Sequence, residues 1–435
     1  MKKVSVVGLG YIGLPTALIA AQAGYEVCGF DVNREKVDKI NTGDSVIFEP
    51  EISDRLWDVL SKSTFRAYKD LQYADFFLIA VPTPFNADKT ADLSYVYNAS
   101  ELVARRVMPG NLVILESTVP VGTTERVVEI IQDISGLKSG VDFFVAYCPE
   151  RVLPGKIFKE LIDNDRVIGG TCQRACELAR MFYGKFVKGF LHITDDKSAE
   201  MVKLVENSSR DVQIAFANQV AGMCYSAGID PFTVIDLANR HPRVKILSPG
   251  CGVGGHCIAI DPYFLIEKFP QDTHLLQAAR FVNEQKPDYV VQQVQEKIIE
   301  LQDHGILRPR VLSLGLTFKP NIDDIRESPA LKIAQTLAHM HHEIDFVAYD
   351  HNVGKVEMKR LGFDVVTDLW YELKQADIVV VLVKHKEFNC IRDHMLEGKV
   401  VIDPCGLLHD LYAHQTHAFL EGAVRLQQGM HKTVA

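Results

Sequence analysis

Apolar residues along this chain fall in two rhythms. Short unbroken runs rich in Val, Ile, Leu and Phe, each bounded by Gly, Pro or Asp, alternate with stretches where apolar positions recur every three or four residues. Unbroken runs fit strands buried on both faces of a parallel sheet, and the slower rhythm fits amphipathic helices. "KVSVVGLG", "YEVCGFDVN" with its strand ending at Asp31, "ADFFLIAVPTP" and "NLVILESTVPVG" open the chain. The series returns as "RVLSLGLTF" from 310, "IDFVAYDHN" with Asp350, "ADIVVVLVKHKEF" from 376 and "KVVIDPCG" from 399. The predicted fold class is α/β, with two Rossmann-like doubly wound parallel-sheet domains on one plan. Between them, Lys197 to Gly228 carries no strand signal and no proline, which predicts one long helix stopped by Gly228 and followed by Pro231. The expected division is a first domain over 1–196, a central helical linker over 197–300 and a second Rossmann-like domain over 301–435.

Composition narrows the class. The 435 residues suit two or three domains, and a chain 47% hydrophobic and 24% charged is not broadly disordered. A net charge of −9 argues against a nucleic-acid or anionic-membrane partner, though not against a local anion pocket. Nine scattered cysteines suit reduced thiols in a cytoplasmic protein. Cys172 and Cys176 lack a second pair at zinc-ligand spacing, so no metal is expected. Gly8, Gly10, Gly13 and Pro15 break the apolar run after Lys2 and Lys3, so neither an export signal nor a membrane span is expected.

"GLGYIG" at 8–13 follows a strand and opens a helical pattern, the context a dinucleotide-binding turn requires. Gly8 serves the tight turn, Gly10 the approach of the pyrophosphate, and Gly13 the packing of helix on strand. Tyr11 and Ile12 complete the phosphate-facing backbone. Asp31 suits the adenosine ribose hydroxyls and repels a 2′-phosphate, which favours NAD over NADP. Read by itself it is also an ordinary acid after a strand. Thr83 and Thr118 stand just past strand ends, where an open parallel sheet binds ligand, or they are plain turn hydroxyls. The second half has "GLTFKP" in place of the glycine turn, and is not expected to hold a dinucleotide. Its Lys319 and Arg326 suit a nucleotide-like anion or, equally, surface ion pairs.

"SPGCGVGGHCIAIDP" brings Gly250, Gly252, Gly254 and Gly255 before Cys257, with Asp261 one helical turn on. A cysteine is more often a small buried hydrophobe than a nucleophile, and here both readings stand. On the long helix Lys203, Asn207 and Arg210 form a polar stripe, either a solvated face or a cleft lining.

Taken together, "GLGYIGLPTA", "IAVPTPF", "LESTVPVG", "YCPERVLPG", "NDRVIGG", "VENSSRDVQIAFAN", "LANRHPRV", "GVGGHCIAIDP" and "FKPNIDDIRESPA" resemble the UDP-glucose/GDP-mannose dehydrogenase family over the chain to about residue 410. "CPERVLPG" and "NRHPRV" resemble its N-acetylmannosamine branch. The resemblance implies that a sugar nucleotide, UDP-N-acetyl-D-mannosamine, is oxidised twice at its primary alcohol. Each step reduces one NAD, and Cys257 carries a thiohemiacetal and then a thioester. It assigns Lys203 as acid/base or oxyanion partner, Asn207 as the group orienting oxyanion or water, Asp261 as the acid assisting Cys257, and Thr118 to the catalytic site. Arg151, Val152, Lys203, Asn207, Arg210, His241, Arg243, Gly254, Phe318 and Lys319 fall on substrate positions, and Arg326 on one reaching NAD. It also implies a homodimer built on the long helix, with Arg243 serving across the interface. UDP-N-acetylglucosamine and UDP-glucose are the alternative substrates, and a non-catalytic sugar-nucleotide-binding protein is the alternative from another class. Two departures stand out. Pro154 occupies a place where relatives oxidising UDP-glucose carry a hydrolytic glutamate, leaving Asp261 and Glu150 as bases. Cys405 stands where relatives carry a basic residue near the substrate.

Overall fold

Strands β1 (Lys3–Val7), β2 (Glu26–Phe30), β3 (Phe65–Tyr68), β4 (Phe76–Ile79), β5 (Leu112–Leu115), β6 (Phe144–Tyr147), β7 (Arg166–Gly170) and β8 (Leu191–Asp195) form one sheet. A second sheet holds β9 (Arg310–Leu314), β10 (Asp345–Tyr349), β11 (Ile378–Val381) and β12 (Val400–Ile402). This computed structural model describes residues 2–45, 47, 49–153, 155–354 and 360–411. The chain up to Asn207 joins Ile260–Asp272 in a first compact unit. Ser208–Ala259 and the chain from Thr273 onward make a second.

The unbroken apolar runs became strands, most of them hidden on both faces; in β12, Val400 and Val401 are half-buried. Every residue of β4, β5 and β11 is buried, as a sheet covered on both sides by helices requires. The first sheet runs β3-β2-β1-β4-β5-β6-β7-β8, so β1 and β4 flank the point where strand order reverses. The second runs β10-β9-β11-β12, with β9 and β11 in the same relation. All its pairings are parallel. The first sheet departs from the parallel expectation at one place: β6 and β7 pair antiparallel through Ala146↔Gly170 and Tyr147↔Gly169.

The proline-free segment is a helix over Asp196–Ala227, followed by Gly228 at φ +68°. The first unit regains the chain at the helix Asp261–Lys268, where Phe264 and Leu265 are buried. The Glu267 carboxylate there accepts the Ala91 amide at 3.0 Å, tying the returning helix to the first unit. No helix among the described residues is long and apolar enough to cross a membrane.

Candidate active site

The turn after β1 is built as its glycines require. Gly8 has φ +95°, and its amide donates to Phe30 O at the end of β2 at 2.8 Å. A Cβ on Gly13 would stand 1.8 Å from Gly8 O, so helix Gly13–Gln22 can begin there only with glycine. Gly10 differs: among the described residues no heavy atom lies within 4 Å of where its Cβ would be. The space over Gly10 is that of a ligand cradle. The helix starts at Ile12 with no side-chain cap among the described residues, which directs its dipole and terminal amides at whatever fills the cradle. Tyr11 and Ile12 are half-buried in the turn. These features fit a dinucleotide pyrophosphate.

Asp31 is buried and already engaged. Its Oδ2 accepts the Leu9 amide at 3.0 Å and Lys36 Nζ at 2.8 Å, and its Oδ1 accepts the Asn33 amide at 2.9 Å. Oδ1 keeps a lone pair for a ribose hydroxyl. Lys36 went unnoticed in the sequence, although Asn33 caps its helix and so places it over the carboxylate. Thr83 is half-buried beyond the end of β4, which flanks the strand-order reversal, and Thr118 is half-buried beyond the end of β5, one strand further out.

The first unit also gathers three of the reactive candidates. Lys203 is buried on the long helix, and one turn on the Asn207 amide donates to Asp261 Oδ2 at 2.5 Å. Burial pushes the Asp261 carboxyl up to about 6, against the pull of the Lys203 charge and the Asn207 hydrogen bond. Asp261 is the first residue of its helix, and Cys257 precedes that helix on a bend. The two are therefore not one helical turn apart, as the spacing suggested. Cys257 belongs to the second unit and Asp261 to the first.

Glu150, the other candidate base, is spoken for. Its Oε2 accepts from the buried Arg166 guanidinium at 2.8 Å and its Oε1 from the Arg151 amide at 2.7 Å. The same arginine faces Glu116 at 3.9 Å, and Tyr183 donates its hydroxyl to Glu116 at 2.6 Å. Burial raises the Glu116 carboxyl to about 7, with Arg166 opposing. Nothing in the spacing of these four residues announced the network. Arg151 itself reaches Glu206 at 2.6 Å and Asp165 O at 2.5 Å, and Val152 packs on the core. Pro154 lies outside the described residues.

In the second unit the glycine loop lies against the "FKP" segment. A Cβ on Gly254 would meet Glu327 O at 2.5 Å and the Phe318 Cβ at 2.7 Å, so these two substrate candidates touch. Lys319 is half-buried beside Phe318, while Arg326 is exposed and chelates the Asp324 carboxylate at 2.6–3.0 Å. Arg210, His241 and Arg243 are exposed, and the Arg243 amide donates to His241 Nδ1 at 3.4 Å. Cys405 is buried, its Sγ 4.0 Å from that of Cys251. All nine cysteines are free thiols, and among the described residues no group of His, Cys, Asp or Glu could hold a metal.

Residues 2–187 match the NAD binding domain of the UDP-glucose/GDP-mannose dehydrogenase family, 197–285 its central domain and 312–410 its UDP binding domain. The chain belongs to that family. It is an oxidoreductase of the NAD-dependent nucleotide-sugar dehydrogenase type. A UDP-N-acetyl-D-mannosamine dehydrogenase of Campylobacter jejuni is 45% identical over 89% of this chain and 96% of its own length. An NDP-N-acetyl-D-galactosaminuronic acid dehydrogenase of Ralstonia nicotianae is 43% identical over 93% of this chain and 96% of its own. Among solved structures, a UDP-N-acetyl-D-mannosamine dehydrogenase of Pyrococcus horikoshii superposes with a TM-score of 0.85 at 39% identity, covering 93% of this chain and 96% of its own. The open Gly10 cradle and the uncapped helix thus lie inside the NAD-binding match, and Phe318 and Lys319 inside the UDP-binding one.

Proposed function

We propose that this dehydrogenase converts UDP-N-acetyl-D-mannosamine to its uronic acid by two successive oxidations, in the cytoplasm, for a surface polysaccharide. The observation that carries the chemistry is the Lys203, Asn207 and Asp261 cluster, a cation, an amide and a carboxyl raised to about 6. NAD, when bound, accepts a hydride in each oxidation. In the first, the Lys203 cation holds the developing C6 alkoxide while the Asp261 carboxylate takes the hydroxyl proton as the aldehyde forms, and Asp261 passes that proton to solvent before hydrolysis. The Cys257 thiolate then adds to the aldehyde carbon, because a bare aldehyde has no further hydride to give until a nucleophile adds. Loss of the second hydride leaves a thioester on Cys257. Asp261 takes a proton from the attacking water, Asn207 orients the oxyanion or the water, and Cys257 departs as thiolate with the acid released. Glu150 is set aside as the base because both its oxygens are engaged.

Asp31, Gly10, Tyr11, Ile12, Thr83, Thr118 and Arg326 are assigned to the cofactor. Arg151, Val152, Arg210, His241, Arg243, Gly254, Phe318 and Lys319 are assigned to the sugar nucleotide. The proposed division remains 1–196, 197–300 and 301–435, with Arg151 and Val152 of the first part serving the sugar nucleotide and Arg326 of the last reaching the cofactor. Phe216 and Met223, seven residues apart on the long helix and 53% and 58% exposed, support a homodimer on that face. The free thiols support a reducing compartment.

The sugar is decided by NADH release with UDP-N-acetylmannosamine against UDP-N-acetylglucosamine, UDP-glucose and UDP-N-acetylgalactosamine. The last enters because of the Ralstonia relative. Preference for any rival would overturn the mannosamine assignment. Turnover of the true substrate releases about two NADH per sugar, and Cys257→Ser binds both ligands without completing the oxidation. Because the Asp261 carboxyl titrates at about 6, it is protonated and idle as a base below that pH. The acid limb of kcat/KM is therefore expected near pH 6, and its survival in Asp261→Asn would exclude Asp261 as its source.

A further inference from the structure

We propose that His385 is the positioning residue for the Phe318–Lys319 segment, holding it in the shape that grips the nucleotide sugar; this rests on the reading that places that segment at the nucleotide sugar. His385 follows β11 and is 1% exposed, yet it has no part in the chemistry above. Its Nδ1 faces two donors, the Asn321 amide at 3.0 Å and the Asn352 side-chain amide at 2.9 Å. Two donors fix Nδ1 as an acceptor and put the ring proton on Nε2. Nε2 lies 3.2 Å from Asp350 Oδ2 and 3.3 Å from Thr317 Oγ1. The Thr317 hydroxyl in turn donates to Lys319 O at 2.9 Å.

One imidazole thus anchors both ends of residues 317–321. At the far end, Asn321 sits at φ +62°, in the left-handed region that glycine and asparagine adopt more readily than other residues, and the Lys386 amide donates to its Oδ1 at 2.9 Å. His385 and Lys386 together clasp this turn residue. At the near end, Asp350 also takes the Leu316 and Thr317 amides at 2.7 and 3.3 Å, so the ring and the segment share one carboxylate. A segment fixed in advance does not have to be ordered when its ligand arrives. Removing the imidazole moves that ordering cost onto binding of the nucleotide sugar and leaves the NAD turn untouched.

The test compares His385→Ala, His385→Asn, His385→Phe and Lys319→Ala in the full-length enzyme. It measures UDP affinity by calorimetry, and KM for the sugar nucleotide, KM for NAD and kcat. His385→Ala and His385→Phe are expected to weaken UDP binding and raise the sugar-nucleotide KM about tenfold, with the NAD KM within about twofold. His385→Asn, which keeps an acceptor for the Asn321 amide, is expected to recover most of the loss. Phe preserves the edge-on packing on Phe388, with centroids 5.5 Å apart, so a purely packing role would leave His385→Phe close to the unaltered enzyme and overturn the proposal. Equal loss in kcat and both KM values for Asn and Phe alike would overturn it too. If Ala does not fold, the Asn and Phe pair carries the decision. If Lys319→Ala binds UDP as the unaltered enzyme does, the placement of the segment fails and this inference with it. If Lys319→Ala loses UDP while His385→Phe keeps it, the placement stands and only the role of His385 falls.

Discussion

After β1 the chain turns at Gly8 and enters a helix five residues later at Gly13; after β9 it turns at Gly315 and enters one only at Pro329. The frames of the two turns coincide. Gly8 and Gly315 have φ +95° and +93°, and each donates its amide to the last residue of the neighbouring strand, Phe30 O at 2.8 Å and Tyr349 O at 2.9 Å. Asp31 and Asp350 take the same pair of amides, Leu9 and Asn33 in one case, Leu316 and Asn352 in the other, at 2.7–3.0 Å. The helix starts differ. The first is uncapped over an open cradle. The second is closed by Ser328, whose hydroxyl donates to Leu316 O at 2.7 Å and accepts the Leu331 amide at 3.2 Å, with Pro329 at the next position. An acid at the end of the second strand is thus first a clamp for the turn. It marks a dinucleotide site only where the helix behind it is left open.

Substitutions can break that contrast. The largest effect is expected from Gly13→Ala, whose Cβ would overlap Gly8 O. The first unit should lose more than about 4 kcal/mol in denaturant unfolding, with NAD binding lost as well. Gly10→Ala should leave stability within about 0.5 kcal/mol and still weaken NAD, because only ligand space is filled. An unchanged NAD affinity there would mean the cradle is not where the pyrophosphate lies. Asp350→Ala strands buried donors and should cost about 3 kcal/mol with the NAD KM unmoved. Asp31→Ala should instead raise the NAD KM about tenfold, and equal stability losses without that rise would make both acids clamps alone. Ser328→Ala should cost about 1 kcal/mol from the lost cap, with no gain of dinucleotide binding.

Much of this was legible in the chain. Strands such as β4, β5 and β11 announce themselves because burial on both faces demands unbroken apolar residues. β3 and β8 do not, since they edge the sheet and "FRAY" and "LHITD" carry polar side chains exposed to solvent. The reversal at β7 leaves no trace in composition, because direction is set by the path between strands. The glycine turn could be read because its chemistry is local. The Asn207–Asp261 bond spans 54 residues and the His385–Asp350 contact 35, so residue spacing gave no sign of them. The sequence marked Asn207 on its polar stripe and Asp261 after Cys257 but did not pair them, and nothing marked His385.

The first unit is not continuous in sequence. It stops at Asn207 and is finished only by Ile260–Asp272, roughly sixty-five residues later. A ribosome adding about 5–20 residues per second would leave this unit waiting several seconds for the helix that carries Phe264, Leu265 and Asp261. Until then its apolar docking surface stays uncovered. A fragment ending near residue 207 would keep the glycine turn but lack its closing piece, so the natural divisions of this protein in space are not places where the gene can be cut.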